Sequence, residues 1–445
     1  MSNELTAYRR PPESSLPTGP LRAVIVGAGH RGLHYATYAT TAPDDLAIVG
    51  VVDPNPLRQS EAARRFGVPA AHRFDSVDEL IAHGKIADVA INATMDDLHL
   101  ATAVPLLKGG YDLLLEKPIS TSAENVMALQ REATRYGRTV LICHVLRYAP
   151  FYVRIKERLA AGEIGDIINM QLAEHVSYHH MAVGFVRGKW GNAEVSGSSL
   201  LMAKSCHDLD LLVWMKSGIP PRRVTSFGDR SYFRAERAPA GAGTRCLVDC
   251  SIESACPYSA RKNYIDQDLW GVYAWQPIER PDGKPSYEDK LASLRNDSPF
   301  GRCVWHADNT VVDHQSVMVE FTDGATATLN VVGNTAKPCR TIKIVGTKGE
   351  IEGVLEDGHF VVRTFDARPG HEYAEEHVRF DIKGEMHGGG DMRLVEDFVD
   401  IVRHKDPSIS ATTLDDSVAG HLLGFAADRS MREQRWIELS DHVTA

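Results

Sequence analysis

A glycine-rich turn directly follows a short apolar segment near the start of the chain. The apolar segment is Leu21 to Val26, the glycines are Gly27, Gly29 and Gly32, and a helical pattern continues over residues 33–40. In this order Gly27 permits a tight turn, Gly29 lets a ligand approach the backbone, and Gly32 lets the helix pack closely on the strand. The pattern predicts a parallel βα unit whose helix begins at a phosphate-binding turn.

An acidic side chain after the second predicted strand indicates which dinucleotide the turn binds. The apolar segment from Leu46 to Val52 is followed by Asp53, 21 residues after Gly32. A carboxylate there accepts hydrogen bonds from the adenosine ribose hydroxyls and repels a 2′-phosphate, so NAD is favoured over NADP. Arg58 is close enough in sequence to leave NADP open, and a turn that binds no nucleotide is the structural alternative.

The periodicity of the chain changes near residue 150. Strand and helix patterns alternate as far as residue 148, which is typical of a doubly wound parallel sheet, so we expect an α/β domain of the Rossmann type over 21–148. Alternating segments separated by glycine turns follow, so residues 149–445 are expected to form an α+β domain with an antiparallel or mixed sheet. The remaining expectations are a flexible tail at 1–20, an insertion at 238–302, and C-terminal helices at 391–403 and 413–432 that return to the domain junction.

Composition excludes several classes of protein. The 445 residues carry a net charge of -10 without a long basic run, which argues against a nucleic-acid partner or an anionic membrane. No stretch approaches the roughly 20 apolar residues of a membrane helix, and the N-terminal PPESSLPTGP lacks the apolar core of a signal peptide. We therefore expect a cytoplasmic protein whose cysteines are reduced or bound to metal.

Further motifs follow the glycine turn. They are ATMDDLH at 93–99, LEKP at 115–118, HVLRYAP at 144–150, GEIGDI at 162–167 and SLLMAKSCHDLDLLVWM at 199–215. With these motifs in this order, the chain resembles the glucose-fructose oxidoreductase / inositol dehydrogenase / MocA (Gfo/Idh/MocA) family, strongly over residues 20–215 and more loosely beyond. The resemblance implies a C-terminal open-faced β-sheet domain, NAD(P)-dependent chemistry on sugars, cyclitols or similar polyols, and assembly into homodimers or homotetramers.

The resemblance also assigns residues to a cofactor site and a substrate site. Besides the three glycines and Asp53, the residues that it gives to the cofactor are His30, Arg31, Thr94, His99, Glu116 and Lys117. Those that it gives to the substrate include Arg147 and Tyr148.

Lys117 is the first candidate for proton transfer. Oxidation of a secondary alcohol needs a base within hydrogen-bond reach of the hydroxyl while the hydride leaves for the nicotinamide. Lys117 fits this role because it lies at a predicted strand end, between Glu116 and Pro118. A structural salt bridge is the alternative role for this lysine.

His207 is the second candidate. The resemblance places a catalytic or substrate-orienting histidine here, in a D-x-G-x-H pattern followed by an aspartate that Asp210 matches. In this chain Ala203 and Ser205 stand at the aspartate and glycine positions, with Lys204 between them. Lys204 could hold an acidic or polar substituent of the substrate, or act as the base itself.

Helical spacing favours a shared face for these groups. Lys204, His207 and Asp208 lie at positions i, i+3 and i+4 of a predicted helix, so their side chains can meet. A histidine that only caps backbone carbonyls is the alternative reading of His207.

Histidines and aromatic residues follow the predicted strand at 167–176. Strand alternation sends His175 to one sheet face, which by the resemblance meets the substrate. Trp190 could stack on a pyranose ring, and the nearby cations could hold a carboxylate or a sulfonate, although a solvated loop is the alternative. The other members are Tyr178, His179, His180, Arg187 and Lys189, and a second polar group expected to touch ligand or insertion is Asp308, Asn309, Asp313, His314 and Gln315.

Four cysteines in or next to the predicted insertion could form a structural zinc site. Cys246, Cys250 and Cys256 fall within eleven residues, and Cys303 follows the insertion. Four thiolates can complete a tetrahedral zinc site. Reduced loop thiols are the main alternative, and an iron-sulfur cluster is a further one.

Two reaction classes fit these residues. In the first, the protein is an NAD-dependent oxidoreductase that takes a hydride from a ring hydroxyl of a sugar, glycoside or cyclitol. In the second, it is a redox-neutral NAD-dependent glycosidase: a 3-hydroxyl is oxidised transiently, the aglycone is eliminated, water adds, and the hydride returns. The additional acid/base groups for this route would come from His175, Tyr178, His179, His180 and Lys204. An NAD-sensing regulator is disfavoured because Lys117 and His207 are both present.

Overall fold

The computed structural model describes residues 19–280, 285–382 and 386–442. Residues 1–18 of the predicted tail and residues 281–284 of the predicted insertion lie outside these ranges. The chain divides into two compact units. The first comprises the chain up to Ser120, Glu124–Tyr148 and Gly389–Asp415, and the second comprises Thr121–Ala123, Ala149–Gly388 and the chain from Asp416 onward.

The strands belong to two separate sheets. In chain order they are β1 (Leu21–Val26), β2 (Leu46–Val52), β3 (Arg73–Phe74), β4 (Val89–Asn92), β5 (Asp112–Leu115), β6 (Val140–Ile142), β7 (Ile167–Ser177), β8 (Pro221–Asp229), β9 (His314–Phe321), β10 (Thr326–Thr335), β11 (Cys339–Gly346), β12 (Gly349–Val354), β13 (His359–Phe365), β14 (Tyr373–Arg379) and β15 (Ile437–Glu438).

The helices vary from single turns to twenty residues. They are α1 (His30–Ala36), α2 (Tyr38–Thr41), α3 (Pro56–Phe66), α4 (Val77–His83), α5 (His99–Lys108), α6 (Ala123–Tyr136), α7 (Pro150–Ala160), α8 (Tyr178–His180), α9 (Ala193–Ser196), α10 (Leu200–Met215), α11 (Gly271–Ala274), α12 (Tyr287–Arg295), α13 (Gly390–Val402) and α14 (Leu414–Glu433). Two π-helical turns are Met181–Val186 and Arg261–Asp266. Within the described ranges, no helix has both the length and the apolar character needed to cross a bilayer.

The first unit contains the predicted doubly wound parallel sheet. Its strand order is β3-β2-β1-β4-β5-β6, and every neighbouring pair is parallel. All four residues of β4 are buried, as expected for a central strand that is covered on both faces. This sheet confirms the predicted fold class of the N-terminal part.

Helix α13 belongs to this first unit, although residues 149–445 are predicted to form the second domain. Its apolar residues Leu394, Val395 and Phe398 enter the core of the parallel sheet. The chain after α13 is also bonded there, because the Ile142 amide donates to the Thr412 carbonyl at 2.9 Å. The predicted domain boundary is wrong for this helix. The apolar face of α13 shows that the helix packs against a hydrophobic core, but it does not show which of the two domains provides that core.

The second unit is built on a nine-stranded mixed sheet. Its order is β14-β13-β12-β11-β7-β10-β9-β8-β15, with β7 and β10 parallel and the other neighbouring pairs antiparallel. Helix α10, which is buried over nearly its whole length, packs against β7 and β10. Buried and accessible residues alternate along β9, β10 and β11, so one sheet face is covered and the other is open, as predicted.

A long insertion separates β8 from β9. It spans residues 230–313, more than the predicted 238–302, and its described residues form a small core together with Val183 of the π-helical turn. The members of this core are Val183, Cys246, Ala260, Tyr264, Ala274, Trp275, Leu294 and Phe300.

The guanidinium of Arg187 ties the insertion to the π-helical turn at Met181–Val186. It donates to the Arg302 carbonyl at 2.6 Å, the Tyr258 carbonyl at 2.9 Å and the Tyr264 hydroxyl at 3.0 Å. Only 4% of Arg187 is exposed, so the prediction that it grips an anionic substrate group is corrected. Its donors are committed to the protein, because buried carbonyls need hydrogen-bond partners.

Arg187→Met is expected to lower the free energy of unfolding by about 2–4 kcal/mol, because it leaves buried acceptors without their donor. Urea denaturation followed by tryptophan fluorescence measures the change. Lys189→Met is the matched control: Lys189 is exposed, so its loss should change stability by less than about 0.5 kcal/mol. Equal effects of the two substitutions would contradict the anchoring role.

Candidate functional site

The glycine turn of the first unit has the geometry of a phosphate-binding turn. Gly27 has a φ of 85°, and a Cβ there would lie 2.6 Å from the Ala93 carbonyl oxygen. A Cβ on Gly32 would lie 2.2 Å from the Gly27 carbonyl oxygen, so close packing of α1 on the turn requires glycine. A Cβ on Gly29 would meet nothing within 4 Å, so the backbone there is open to a ligand, as a pyrophosphate requires.

Asp53 lies just after β2 and is connected to the same turn. Its Oδ2 accepts the Ala28 amide at 2.8 Å, and its Oδ1 accepts the Asn55 amide at 2.8 Å. Each carboxylate oxygen has a second lone pair that can accept a ribose hydroxyl. The glycine turn and Asp53 together fit the pyrophosphate and adenosine ribose of NAD, and the ribose contact stays a prediction.

The carboxylate of Glu116 is held inside the first unit. It accepts hydrogen bonds from Arg31 Nε, Tyr35 Oη and the Lys117 amide, each at 2.8 Å, and Arg31 also donates to Asp391 at 2.6 Å. Burial would raise the pKa of Glu116, but Arg31 and Lys117 outweigh burial and lower this pKa to about 2. Arg31 and Glu116, predicted as cofactor contacts, therefore brace the end of β5, and Glu116 is too weak a base for proton abstraction.

His99 and Thr94 are also engaged within the first unit. His99 is fully buried, with Nδ1 donating to the Pro118 carbonyl at 2.8 Å and Nε2 3.3 Å from the Thr94 carbonyl. The Thr94 hydroxyl donates to Asn92 at 2.9 Å. Both residues hold the strand ends in place, while His30 is half-buried at the start of α1.

Lys117 follows the end of β5 directly after the buried Glu116. Its peptide bond to Pro118 is cis, and its side chain is half-buried. In a doubly wound sheet, ligands bind at the carboxyl ends of the strands. Lys117 therefore lies at the sheet edge where ligands of such folds bind, and its role in proton transfer stays a prediction.

Arg147 and Tyr148, predicted as substrate residues, are internal to the first unit. Arg147 Nη1 donates to the Ala411 carbonyl at 3.0 Å, and the Tyr148 hydroxyl donates to Asp397 at 2.8 Å. Both side chains are buried. The prediction is corrected, because these polar groups anchor α13 and the segment that follows it.

The second unit contains a buried ionic cluster around α10. Glu174 on β7 and Arg340 on β11 are directly opposite in the sheet register, with Oε2 2.7 Å from Nε. Lys204 Nζ lies 2.9 Å from the other Glu174 oxygen, and Arg340 Nε lies 3.1 Å from Asp208 Oδ1. Lys204 and Asp208 lie on one helix face, as predicted, and are linked by the strand residues Glu174 and Arg340, which were not predicted as site residues.

These charges shift one another's proton affinities. Burial would raise the pKa of Glu174, but Arg340 and Lys204 outweigh burial and hold this pKa below its ordinary value. Burial lowers the pKa of the Lys204 ammonium, against the attraction of Glu174. Burial also raises the pKa of Asp208 to about 6, because Arg340 only partly offsets the loss of solvent. The Lys204 charge is thus balanced inside the protein.

The alternation of apolar and polar residues along β7 could have identified Glu174 as a buried carboxylate. Met170, Leu172, Glu174 and Val176 form its buried stripe, and a lone carboxylate in such a stripe needs a buried partner. His175 lies on the opposite face, with Nδ1 3.5 Å from Cys339 Sγ. The face of β7 that meets Lys204 is therefore that of Glu174, and the predicted contact of His175 with substrate stays a prediction.

His207 is buried on α10 next to Asp208, with 4% of its surface exposed. Its ring centroid lies 6.1 Å from that of His387, which has a left-handed backbone with a φ of 48°. The described second unit therefore groups two histidines near the ionic cluster. The catalytic role of His207 stays a prediction.

The remaining aromatic candidates pack against the insertion. The His180 ring stacks on Trp270 at 4.2 Å, and the Tyr178 ring contacts Tyr258 edge-on at 6.0 Å. Trp190 stacks on Phe185 at 5.9 Å, so that face of its ring is already occupied. Tyr178, His180 and Trp190 are all half-buried.

The polar group at residues 308–315 extends into the first two residues of β9 and is bonded within the second unit. Asp313 accepts the Tyr232 amide at 2.7 Å and lies 2.8 Å from His314 Nδ1. Gln315 donates to Ser226 and to Asp428 at 3.1 Å. Asp308 pairs with Arg302 at 2.9 Å, and the Asn309 carbonyl accepts Arg230.

The predicted zinc site is not supported. All seven cysteines are free, and in the described part of the chain no group of three or more His, Cys, Asp or Glu side chains is arranged to hold a metal. Cys246 contacts Arg187 Nη2 at 3.4 Å instead, and a nearby cation disfavours a metal. Burial raises the thiol pKa of Cys256 and Cys303, which favours the neutral form over the thiolate that zinc needs, and Cys250 is only half-buried.

Comparison with known families agrees with this arrangement. A family described as "oxidoreductase family, NAD-binding Rossmann fold" matches residues 21–144, and "oxidoreductase family, C-terminal alpha/beta domain" matches residues 156–439. The chain belongs to the Gfo/Idh/MocA family. It is an NAD-binding oxidoreductase of that family, with the cofactor domain in its first unit.

Individual relatives are distant. YteT of Bacillus subtilis (strain 168) is 27% identical over 81% of this chain and 83% of its own length. An inositol 2-dehydrogenase of Leifsonia xyli is 27% identical, but the match covers 50% of this chain and 60% of that protein. A levoglucosan dehydrogenase structure with NADH and levoglucosan superposes with a TM-score of 0.66 at 17% identity, over 94% of this chain and 99% of the other. The last likeness shows the shared fold.

Gly29→Ala should weaken NAD binding by about tenfold or more without loss of stability. Alanine suits the φ of -75° there, and its Cβ would project into the space that the pyrophosphate needs. Gly32→Ala should lower the melting temperature, because its Cβ would collide with the Gly27 carbonyl. Calorimetric titration with NAD and thermal melts separate the two effects. Parent-like NAD affinity in Gly29→Ala would contradict the site.

Asp208→Asn should remove part of the pH dependence of stability. The folded chain binds the Asp208 proton more tightly than the unfolded chain, whose aspartates titrate near a pKa of about 3.9, so ionisation costs stability. Relative to Asp208→Asn, the parent's free energy of unfolding should fall as the pH rises from about 4 to about 7. Asp97→Asn, at an exposed position, is the control. A constant difference over this pH range would contradict the buried-carboxyl account.

Proposed function

We propose that the protein is an NAD-dependent dehydrogenase that oxidises a ring hydroxyl of a sugar, glycoside or cyclitol, with Lys117 as the proton acceptor. The observation that carries the proposal is the locked Glu116: three hydrogen bonds fix its carboxylate and lower its pKa to about 2. Proton transfer after β5 therefore falls to the next side chain, Lys117. In its unprotonated form, Lys117 Nζ accepts the hydroxyl proton as the C–H bond breaks.

The cofactor supplies the hydride acceptor when it is bound. The chain supplies the turn at Gly27, Gly29 and Gly32 for its pyrophosphate and Asp53 for its ribose. The bracing of Arg31 and Tyr35 around Glu116 keeps the backbone of Lys117 in place. A base held on a rigid strand end loses little freedom on reaction, which favours catalysis.

The ionic cluster of the second unit favours an uncharged substrate. Lys204 and Arg340 are each paired with buried carboxylates, so neither cation is left to bind a carboxylate or sulfonate of a ligand. Inositol, after which several of the relatives are named, is a neutral polyol. This supports neutral ring alcohols over acidic sugars as the substrate class.

A second candidate is the redox-neutral glycosidase. It needs further proton-transfer groups for elimination and water addition. The observation that favours it is the set of buried titratable groups on α10, where His207 adjoins Asp208, a carboxyl with a pKa of about 6. A carboxyl with this pKa can donate and accept protons near neutral pH.

One assay separates the two candidates. The purified protein is incubated with NAD and a panel of inositols, levoglucosan, neutral and acidic sugars, and chromogenic glycosides. Absorbance of reduced nicotinamide and release of aglycone are followed in one cuvette. Reduced cofactor without aglycone supports the dehydrogenase, whereas aglycone over many turnovers without reduced cofactor supports the glycosidase. Neither signal with any compound would contradict both.

Lys117→Met should lower kcat for alcohol oxidation by at least about a hundredfold, because a methionine cannot take up the proton. NAD affinity should change less than about threefold, since the turn and Asp53 are untouched. The control is Lys108→Met, at an exposed position on α5 that should leave both quantities unchanged. Full activity in Lys117→Met would refute the assignment of the base.

A further inference from the structure

A hydrogen bond from the insertion determines which nitrogen of His179 carries the proton. Trp270 Nε1 lies 2.7 Å from His179 Nδ1, and Ser177 Oγ lies 3.3 Å from the same nitrogen. An indole N–H can only donate, so Nδ1 must be the unprotonated nitrogen of a neutral ring, and the ring proton must be on Nε2. Burial also lowers the pKa of His179, and this too favours the neutral ring.

Neighbouring rings fix the Trp270 indole in this position. The His180 ring stacks on it with a centroid distance of 4.2 Å and an interplanar angle of 26°, and Tyr273 lies at 5.9 Å and 20°. Trp270 also has a φ of 59°, which is uncommon for a bulky residue. Backbone conformations of this kind are often found where a side chain serves a function.

His179 itself is accessible to a ligand. It is half-buried, and among the residues that the structure describes none accepts a hydrogen bond from its Nε2. Its ring neighbours are Tyr178, at 5.0 Å edge-on, and Trp270, at 6.0 Å. The Nε2–H group is therefore a donor whose acceptor must come from outside the described part of the chain.

We propose that Trp270 positions His179 as a hydrogen-bond donor for an uncharged oxygen of the substrate, a hydroxyl or ring oxygen of the sugar or cyclitol. The identity of that ligand rests on the proposed function. A base would need a lone pair on Nε2, but the proton occupies that site while Trp270 occupies Nδ1. His179 is thus a binding residue rather than one of the acid/base groups considered for glycoside cleavage.

Nitrogen NMR of the protein labelled with 15N-histidine tests the positioning role of Trp270 without any substrate. His179→Gln assigns the signal. The parent should show an unprotonated Nδ1 and a protonated Nε2, and should keep them to a lower pH than an exposed histidine. Trp270→Phe, which keeps a ring but loses the donor, should give mixed tautomers and a raised pKa of His179. Trp275→Phe is the matched control, because the buried Trp275 Nε1 has no hydrogen-bond partner in the described chain. A protonated Nδ1 in the parent, or an unchanged His179 in Trp270→Phe, would overturn the proposal.

The binding role of His179 is tested with the alcohol that the protein oxidises best. His179→Ala should lower kcat/KM about tenfold or more, mainly through KM, whereas His179→Gln, which still offers an N–H donor, should stay within about fivefold of the parent. Equal losses in both variants, or a loss confined to kcat, would overturn the donor role. If no alcohol is oxidised, the proposed function fails. The NMR experiment still tests whether Trp270 determines the tautomer of His179, because it needs no substrate.

Discussion

The second unit depends on an ion pair buried at the centre of its sheet. Glu174 and Arg340 are opposite one another on β7 and β11, in stripes that are otherwise apolar. Losing one partner of such a pair leaves a buried charge uncompensated, which costs about 3–5 kcal/mol. A shift in the register of β7 and β11 would separate this pair, and through Lys204 and Asp208 the pair connects the sheet to α10. His207 is positioned as a consequence, because it is adjacent to Asp208 on that helix.

The insertion is also held by a buried charged group, but here the group bonds backbone carbonyls and a hydroxyl instead of carboxylates. The apolar core of its described part includes Val183 from outside the insertion, and the buried guanidinium of Arg187 bonds its backbone at Tyr258 and Arg302. The aromatic residues then have fixed partners, and the indole of Trp270 meets His179 in one orientation. A segment that resembled a metal-binding loop in sequence is thus organised by arginine and aromatic rings, which require neither thiolates nor zinc.

Most of the fold could be predicted from local patterns. β1 and β2 begin and end at the predicted residues, and α14 is displaced from the prediction by one residue at each end. The cofactor turn could also be predicted from the sequence, because the strand, the glycines, the helix and the acidic residue follow one another within a few dozen residues. The buried ionic cluster of the second unit was harder to predict from the sequence. Alternation placed residues 174 and 175 on opposite faces, but only the packing of α10 showed that the face of Glu174, and not that of His175, meets Lys204.

The sequence by itself determined the parallel sheet, its dinucleotide turn and the position of Lys117 at a strand end, because these depend on periodicity and on neighbours along the chain. Tertiary structure alone decided which charges are neutralised and which donors remain for a ligand. Arg340 reaches Asp208 across 132 residues and Trp270 reaches His179 across 91, and no local pattern specifies such pairs. The free energy of a buried charge or a hydrogen bond depends on the partner that folding brings to it, and that partner exists only once the sheet, α10 and the insertion are packed.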